Sequence, residues 1–317
     1  MTECERIIEQ GILPRSFFEP ETICDYIVTK ERKKIWAVEI DLLVRFDEIC
    51  RKNGLRYSLI FGSLLGVIRH HGFIPWDDDI DVVMPRSDYE KMRLLREDFK
   101  DPYYLQFPCD DNGYYISFAK LRNSNTTGIS LPLRYETFNQ GMFIDIFPLD
   151  NYVYGDIDEE TKRIRLLMSE CSCLMKRRNP FLEKNEMERC RMFPIVRDGD
   201  VIMREMEDIL KKYENVKTDK GIIWSFQSYS HEKVTYDKSW FEDLIDVSFY
   251  GYNVYIPCNF KKVLSVTYGD YLKCPPVEAR FTVHQSSVFD PDTPYMESLS
   301  MLRKKDRVAY STCNNHI

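Results

Sequence analysis

The sequence contains no apolar run approaching the roughly 18 to 20 residues that a membrane-spanning helix requires. Its first six residues, MTECER, are charged and lack the apolar core of a secretory signal peptide. These two absences predict a cytoplasmic protein, with at most peripheral contact to the inner face of a membrane.

The sequence also lacks an excess of basic residues. Lysine and arginine together number 44 against 51 aspartate and glutamate residues, which gives a formal net charge of −7. Proteins that bind nucleic acid or an anionic membrane through charge need a basic surface. The composition therefore predicts no nucleic-acid partner, and it implies that an anionic substrate is held by local positive charge.

Cysteine pairs of the CxxC type are missing as well. The ten cysteines are scattered, and the closest pair, Cys171 and Cys173, lies in a segment with helical spacing and has no histidine at ligand spacing. We therefore expect reduced thiols rather than disulfides or a zinc site. What the 317 residues do contain is 44% hydrophobic and 14% aromatic side chains, enough for a sizeable core.

The most informative stretch is residues 57–84, YSLIFGSLLGVIRHHGFIPWDDDIDVVM. Residues 57–61 are predicted to form a buried strand, and the apolar spacing after them predicts a short helix, with Gly62 and Ser63 at the junction. Glycine lets the backbone approach a ligand closely, and the free N–H groups at a helix start stabilise a phosphate. Gly62 and Ser63 are therefore predicted to bind phosphate.

The same stretch ends in an acidic segment, DDDIDVVM at residues 77–84, which is predicted to be a strand. Because side chains alternate along a strand, Asp79 and Asp81 would share one face while Ile80 and Val82 pack on the core. Adjacent carboxylates repel each other, whereas Mg²⁺ or Mn²⁺ takes carboxylate and phosphate oxygens as ligands. The pattern predicts a divalent-cation site at Asp79 and Asp81, which Asp77 supports directly or through water.

Two other interpretations of the acidic run are less favoured. A solvated loop would not need the alternation with isoleucine and valine. An EF-hand calcium loop would need glycine where Val82 stands and glutamate where Asp88 stands, which excludes it.

A further carboxylate interrupts an apolar strand predicted at residues 141–150, GMFIDIFPLD. Burying a carboxylate is costly unless it has a cation or a hydrogen-bond donor. Asp145 is therefore predicted to be the third acidic residue of the metal site, and the alternative is a structural aspartate bonded to backbone amides. Asp150 is predicted to be a turn residue.

The motif GSLLGVIRHHGFIPWDDDID at residues 62–81, followed by Met84-Pro85-Arg86 and Tyr89, resembles the signature of the LicD family of phosphotransferases. The motif YGDY at 268–271, followed by two prolines at 275–276, also resembles the family pattern. The resemblance implies an α+β fold with a polymerase-β-type nucleotidyltransferase core, which is a mixed sheet with flanking helices, as in relatives such as fukutin-related protein.

The resemblance also implies the reaction. Members of the family move an alcohol phosphate, typically phosphocholine, from a CDP-linked donor onto a sugar hydroxyl of a cell-surface glycan. The implied partners are a CDP-alcohol donor and a glycan or lipid-linked glycan acceptor. Asp79, Asp81 and Asp145 are the implied catalytic residues, with Asp145 either completing the metal site or taking the proton of the attacking hydroxyl.

Positive charge near the transferred phosphate is predicted at Arg69, Lys120 and Arg122, although the last two could also be ordinary exposed charges of a sheet. Arg280 and His284 have a family-like spacing that would place a donor pair near the phosphates, and a surface helix explains them nearly as well. A choline group would need an aromatic cage. Candidates for that cage are Trp76, Tyr103, Tyr104, Tyr114 and Tyr115.

Spacing and composition divide the rest of the chain. We predict an irregular lead-in at 1–32, the catalytic core at 33–155 beginning with a helix, a helical insertion at 156–240, the C-terminal part of the LicD-like domain at 241–290, and a loosely ordered polar tail at 291–317. Within the core, residues 103–107 and 115–122 are predicted to form a hairpin. Residues 87–90 are predicted to form a capping box.

Three other functions are compatible with the same carboxylates. A nucleotidyltransferase would transfer the nucleotide itself and release pyrophosphate. A metal-dependent glycosyltransferase also uses an Asp-x-Asp pair, but normally after a larger nucleotide-binding half. A non-catalytic glycan-binding or scaffold protein would have an incomplete metal site, which the presence of all three aspartates disfavours.

Overall fold

The computed structural model describes residues 2–111, 113–153, 157–193, 197–223, 235–282, 284 and 287–314. Within these residues the architecture is a mixed sheet flanked by helices. The predicted α+β class and mixed sheet are confirmed.

Seven of the described strands form the central sheet, and six form three separate two-stranded ladders. The central strands are β3 (Ser58–Leu59), β4 (Asp81–Pro85), β5 (Tyr103–Gln106), β6 (Ala119–Asn123), β8 (Met142–Tyr152), β9 (Lys220–Ile223) and β10 (Thr235–Asp237). The other strands pair as β1 (Glu21–Ile23) with β2 (Tyr26–Val28), β7 (Thr127–Ser130) with β13 (Ser287–Asp290), and β11 (Leu244–Phe249) with β12 (Tyr252–Pro257).

Strand β8 is the centre of the sheet. It runs parallel to β4, with Asp145 opposite Asp81, and its other edge pairs antiparallel with β6 and then with β9. Ten of its eleven residues are buried, as expected for a strand covered on both faces. The strands that carry Asp81 and Asp145 are therefore neighbours in the middle of the sheet.

The helices pack around this sheet. They are α1 (Glu3–Glu9), α2 (Lys30–Lys52), α3 (Phe61–Arg69), α4 (Arg86–Arg93), α5 (Ile157–Lys176), α6 (Lys184–Met192), α7 (Gly199–Lys211), α8 (Phe260–Tyr268) and α9 (Tyr295–Asn314). The hydroxyl of Thr29 caps α2 by accepting a hydrogen bond from the N–H of Arg32, and Gly54, with φ of +63°, follows its end. Helix α2 contacts both β6 and β8.

Both ends of the chain are more ordered than predicted. The lead-in contains α1, β1 and β2, and its Ile7, Leu13 and Phe18 are part of the main hydrophobic core. The polar tail forms α9, which buries Leu299 and places Asp306 in an ion pair with Arg134. Single apolar or charged residues within polar segments make these contacts. A periodic sequence pattern is absent there, so the contacts could not be predicted.

The region predicted as a helical insertion is helical only in its first part. Helices α5 and α7 share a small separate core that includes Leu167, Cys171, Ile202 and Met206. Beyond them, β9 and β10 extend the central sheet, because β8 continues past its pairing with β6 and leaves an edge that needs a partner. The residues between β9 and β10 lie outside the described part of the chain.

The acidic stretch differs most from its prediction. Helix α3 already begins at Phe61, so Gly62 and Ser63 lie inside its first turn. Strand β4 begins only at Asp81, and residues 77–80 form an irregular segment before it. The expectation that Asp79 and Asp81 alternate along one strand is therefore wrong. Residues that are distant in the sequence contact this segment and stabilise its irregular conformation. A local sequence pattern cannot predict such contacts.

Strands β5 and β6 form the predicted hairpin. Helix α4 has no side-chain cap, so the predicted capping box is wrong. Asp150 is not a turn residue: it lies in β8, buried, and accepts two hydrogen bonds from Arg86 at 2.6 and 2.7 Å. The pair joins α4 to the sheet, since a buried carboxylate needs a charged partner.

The nine cysteines whose side chains are described are free thiols, which confirms the expectation of reduced cysteines for these positions. Among the helices in the described ranges, none combines the length and the apolar composition needed to cross a bilayer.

Candidate active site

The first turn of α3 lies directly beside the acidic residues. Ser63 Oγ accepts a hydrogen bond of 2.8 Å from the backbone N–H of Asp81, which ties the start of β4 to the helix. A Cβ atom added to Gly62 would stand 2.6 Å from Asp77 Oδ2, so only glycine allows this carboxylate to lie so close. The first N–H groups of a helix have no acceptor within it, so an anion can bind there.

Helix α2 holds the segment that precedes β4. The indole N–H of Trp36 donates to the backbone carbonyl of Asp77 at 2.9 Å, and Arg32 donates to the same carbonyl at 3.3 Å. Arg32 also forms an ion pair with Asp78, with 3.0 Å between Nη1 and Oδ2. Residues four apart lie on the same side of a helix, so one face of α2 makes these contacts.

A segment near the C-terminus contacts the same acidic residues. Thr282 Oγ1 donates to Asp78 Oδ1 at 2.6 Å, and the N–H at Nδ1 of His284 donates to the same oxygen at 2.9 Å. Burial raises the pKa of Asp78, but these hydrogen bonds and the charges of His284 and Arg32 outweigh burial and lower the pKa below its ordinary value. Asp78 is thus an ionised anchor for the site.

Asp78 was not predicted to be a site residue, and no contact between His284 and the acidic residues was predicted. The two residues are 206 positions apart, so only the fold brings them together. His284 Nε2 also lies 4.0 Å from Asp79 Oδ2. Among the described residues, Asp78, Asp79 and His284 are the group whose potential metal-ligating atoms all lie within 4.8 Å of one another. The predicted ligands are Asp77, Asp79, Asp81 and Asp145, and no three of these four have ligand atoms within 4.8 Å of one another.

Asp145 lies beside Asp81 on the neighbouring strand, as the prediction of a third carboxylate requires. Its partner across the other edge of β8 is Lys120, whose buried ammonium forms an ion pair with it. Burial lowers the pKa of Lys120, and the charge of Asp145 opposes this shift. The donor to Asp145 in this structure is therefore a lysine, in place of the backbone amides that the alternative interpretation proposed.

The other carboxyl groups experience burial and mutual repulsion. Burial, followed by the charge of Asp79, raises the pKa of Asp77 and of Asp81 well above the ordinary value. Burial also raises the pKa of Asp79, against the charge of His284. A divalent cation such as Mg²⁺ or Mn²⁺ would relieve this repulsion with the oxygen ligands that it prefers. The residues present therefore fit such a cation.

Two of the three predicted phosphate-binding cations are engaged elsewhere. Arg69 donates to two backbone carbonyls in the segment 271–273, at 3.0 and 3.3 Å. Arg122 is buried and donates to Gln106 at 2.6 Å and to a backbone carbonyl at 2.8 Å. Lys120 and Arg122 are therefore buried and are not exposed charges of the sheet. Of the three predicted cations, Lys120 contacts a predicted catalytic residue, Asp145.

The predicted aromatic cage is dispersed in the structure. Tyr103, Tyr104 and Tyr114 each donate a hydroxyl hydrogen bond to another part of the protein. Trp76 packs against Arg280, with 5.2 Å between the guanidinium carbon and the ring centroid. Arg280 therefore contacts the indole ring, and of the predicted Arg-His pair it is His284 that lies at the acids.

A cavity of about 290 Å³ lies beside Asp145 and His284. Strands β6 and β8 contribute Lys120 and Phe143 to its wall, and α5 contributes Met168. Further lining residues are Tyr115, Ile116, Phe118, Leu133, Phe138 and Met175. An apolar pocket next to polar reactive groups can hold the small organic part of a substrate. Tyr115 is the one predicted cage residue that lines it.

Together, a helix start that can bind phosphate, carboxylates that can bind a cation and an adjoining pocket are suited to metal-assisted transfer of a phosphate-bearing group. Residues 54–167 match the protein family described as LicD/FKTN/FKRP, nucleotidyltransferase domain. Residues 54–167 therefore form a LicD-type domain, and the chain is similar to phosphotransferases of the LicD family.

The chain is similar to characterised and uncharacterised proteins of other organisms. The chain is 27% identical over 250 residues to lipopolysaccharide cholinephosphotransferase LicD of Haemophilus influenzae. The aligned region covers 75% of this chain and 90% of that protein. It is 28% identical over 136 residues to an uncharacterized protein of Rickettsia prowazekii, over 41% of this chain and 47% of that protein. It is also 26% identical over 139 residues to mannosyltransferase regulator 4 of Saccharomyces cerevisiae, over 42% of this chain and 11% of that protein.

Proposed function

We propose that the chain transfers an alcohol phosphate, in the first instance phosphocholine, from a CDP-linked donor to a sugar hydroxyl of a cell-surface glycan. The observation that carries the proposal is the position of Asp81 and Asp145 on adjacent strands, with Asp81 tied to the start of α3 through Ser63. The name of the Haemophilus relative, a cholinephosphotransferase, supports phosphocholine as the transferred group. A glycan or lipid-linked glycan is the proposed acceptor, and the inner face of the membrane is the proposed location.

The proposed core is a nucleotidyltransferase core of the polymerase-β type. The unit β3–α3–β4, followed by a third carboxylate on the adjacent parallel strand β8, supports it. In such a unit the helix start and the acids lie at the same end of the sheet, so one diphosphate can contact both.

Asp77, Asp79, Asp81 and Asp145 would hold Mg²⁺ or Mn²⁺. When bound, the cation would neutralise charge on the donor diphosphate. The N–H groups of Gly62 and Ser63 would bind the phosphate oxygens. We assign to Asp145 the proton of the attacking hydroxyl, because it is the predicted ligand that lines the cavity, and the ion pair with Lys120 would orient this carboxylate.

We place the alcohol of the donor in the cavity beside Asp145. Aromatic faces attract cations, and the face of Phe143 already holds the Lys120 ammonium at 3.4 Å from its centroid, so the alcohol would use the other rings of the cavity. Tyr115, Phe118 and Phe138 provide further rings in the same wall. A quaternary ammonium would therefore meet aromatic surface in this cavity rather than at the dispersed cage predicted from the sequence.

A panel of CDP-alcohols tests the proposal. CDP-choline, CDP-ethanolamine, CDP-glycerol and CDP-ribitol are each incubated with the protein and with lipopolysaccharide as the glycan acceptor, and CMP release is measured with Mg²⁺ and with EDTA. We expect Mg²⁺-dependent CMP release for at least CDP-choline, because the acids need a cation to bind a diphosphate. The Asp81→Asn protein, which keeps the side-chain shape, is the matched blank.

The fate of label in doubly labelled CDP-choline separates the alternatives. Choline and its phosphorus should reach the glycan acceptor together. Transfer of the cytidine label would instead indicate a nucleotidyltransferase. A folded protein that releases CMP from no member of the panel would contradict the phosphotransfer proposal.

A further inference from the structure

Glu39 lies on the face of α2 that holds the acidic segment. Arg32, Trp36 and Glu39 are spaced at i, i+4 and i+7, so they lie along one side of the helix. The first two contact the backbone or side chains of Asp77 and Asp78. Glu39 is one turn further along and is only 1% exposed. No pattern in the sequence predicted a role for Glu39.

Both carboxyl oxygens of Glu39 lack a hydrogen-bond partner within the part of the chain that the structure describes. Buried polar groups are almost always satisfied, and one that is not costs stability. Met or Leu at this position would fill the space without that cost. An unsatisfied carboxyl group inside a well-packed helix face therefore points to a ligand that it contacts.

The surroundings of Glu39 identify the chemistry of that ligand. Besides burial, the charges that raise its pKa are, in order, those of Asp79, Asp78 and Asp145, and Lys120 opposes them. The charges that act on Glu39 are therefore those of the acids in the candidate metal site. Another acid in this place increases the negative charge that a cation would neutralise.

Charge pairing indicates how much of this negative charge has no partner. Arg32 and His284 pair with Asp78, and Lys120 pairs with Asp145. Within the candidate site, Glu39, Asp77 and Asp81 form no ion pair with another described residue, and Asp79 has only the His284 imidazole, at 4.0 Å. A hard divalent cation is the class of ligand that suits them.

We infer that Glu39 is a positioning residue for the divalent cation, and that its carboxylate accepts hydrogen bonds from the water shell of that cation. The inference rests on the proposed metal site at Asp77, Asp79, Asp81 and Asp145. Mg²⁺ dehydrates reluctantly and keeps several of its waters, and these waters are hydrogen-bond donors.

Mn²⁺ binding to the metal-free protein tests the inference without any activity assay. The free Mn²⁺ is measured by electron paramagnetic resonance during titration, and folding of each variant is checked by circular dichroism. We expect Glu39→Gln to weaken Mn²⁺ binding by about 10-fold to 100-fold, the range found when groups around metal ligands are removed. Glu39→Asp, which keeps the charge, should recover much of the affinity.

Asp41→Asn is the matched control. Asp41 is a buried acid on the same helix, but it is paired with Arg6 and accepts hydrogen bonds from Tyr103. Its replacement should leave the Mn²⁺ affinity unchanged. If Glu39→Gln binds Mn²⁺ as tightly as the unaltered protein, the inference is overturned while the metal site stands. If the unaltered protein binds no Mn²⁺, both the metal site and the role of Glu39 are overturned.

Discussion

Replacing Asp81 with asparagine is expected to lower turnover on the order of 10³-fold or more while the protein remains folded. The side chain would lose the charge that binds the cation. The backbone N–H of residue 81 would still donate to Ser63 Oγ, so the start of β4 would stay in place. Because burial and the neighbouring acids disfavour a charge here, a neutral side chain should not destabilise the metal-free protein. Asp79→Asn should behave in the same way.

The measurement is CMP release under saturating Mg²⁺ together with the melting temperature of each variant. We expect the melting temperature to change by no more than about 4 °C, which corresponds to roughly 1 kcal/mol for a domain of this size. Asp25→Asn, which removes an exposed carboxylate in the turn between β1 and β2, controls for the change in net charge. Full activity in Asp79→Asn or Asp81→Asn would remove the metal assignment.

Breaking the ion pair between Arg86 and Asp150 is expected to have the largest effect on stability. Arg86→Met would leave the Asp150 carboxylate, only 2% exposed, without its guanidinium partner. Removing one member of a buried pair typically costs about 3–5 kcal/mol. The pair joins the start of α4, which directly follows β4, to β8, so the strands that carry Asp81 and Asp145 depend on it. Urea unfolding monitored by circular dichroism measures the loss.

The double replacement Arg86→Met with Asp150→Leu distinguishes an unpaired charge from a loss of packing. It removes both charges and should recover most of the stability, since apolar residues of similar volume often replace a buried pair without loss. Arg56→Met is the control, because Arg56 is half exposed in its pair with Asp88 and should cost no more than about 1 kcal/mol. A double variant that is as unstable as the sum of the single ones would contradict this interpretation.

The parts of the fold that local pattern determines were predictable. The helix at the start of the core, the apolar strand around Asp145 and the hairpin of residues 103–107 and 115–122 were each predicted, and each element is present. Periodicity reports which side of an element is buried, and in these segments burial alone decides the structure. Asp145 was predicted to be the third acid because it interrupts an apolar strand, and the parallel register places it opposite Asp81.

The parts that depend on distant contacts were not predictable in this way. Asp79 was expected in a strand, but Arg32 and Trp36 on one side and His284 on the other hold its segment outside the sheet. Glu39 is invisible in the sequence because a glutamate in an amphipathic helix normally faces solvent. Only its burial and its two unpartnered carboxyl oxygens reveal it.

Anomalous diffraction from crystals soaked in Mn²⁺ tests the central claim most directly, because it locates the cation without assuming a substrate. We predict an anomalous peak bounded by the carboxylates of Asp77, Asp79, Asp81 and Asp145, beside the first turn of α3. A Mn²⁺ peak found only at surface carboxylates, or none within ligand distance of Asp79 and Asp81 at saturating Mn²⁺, would contradict the account.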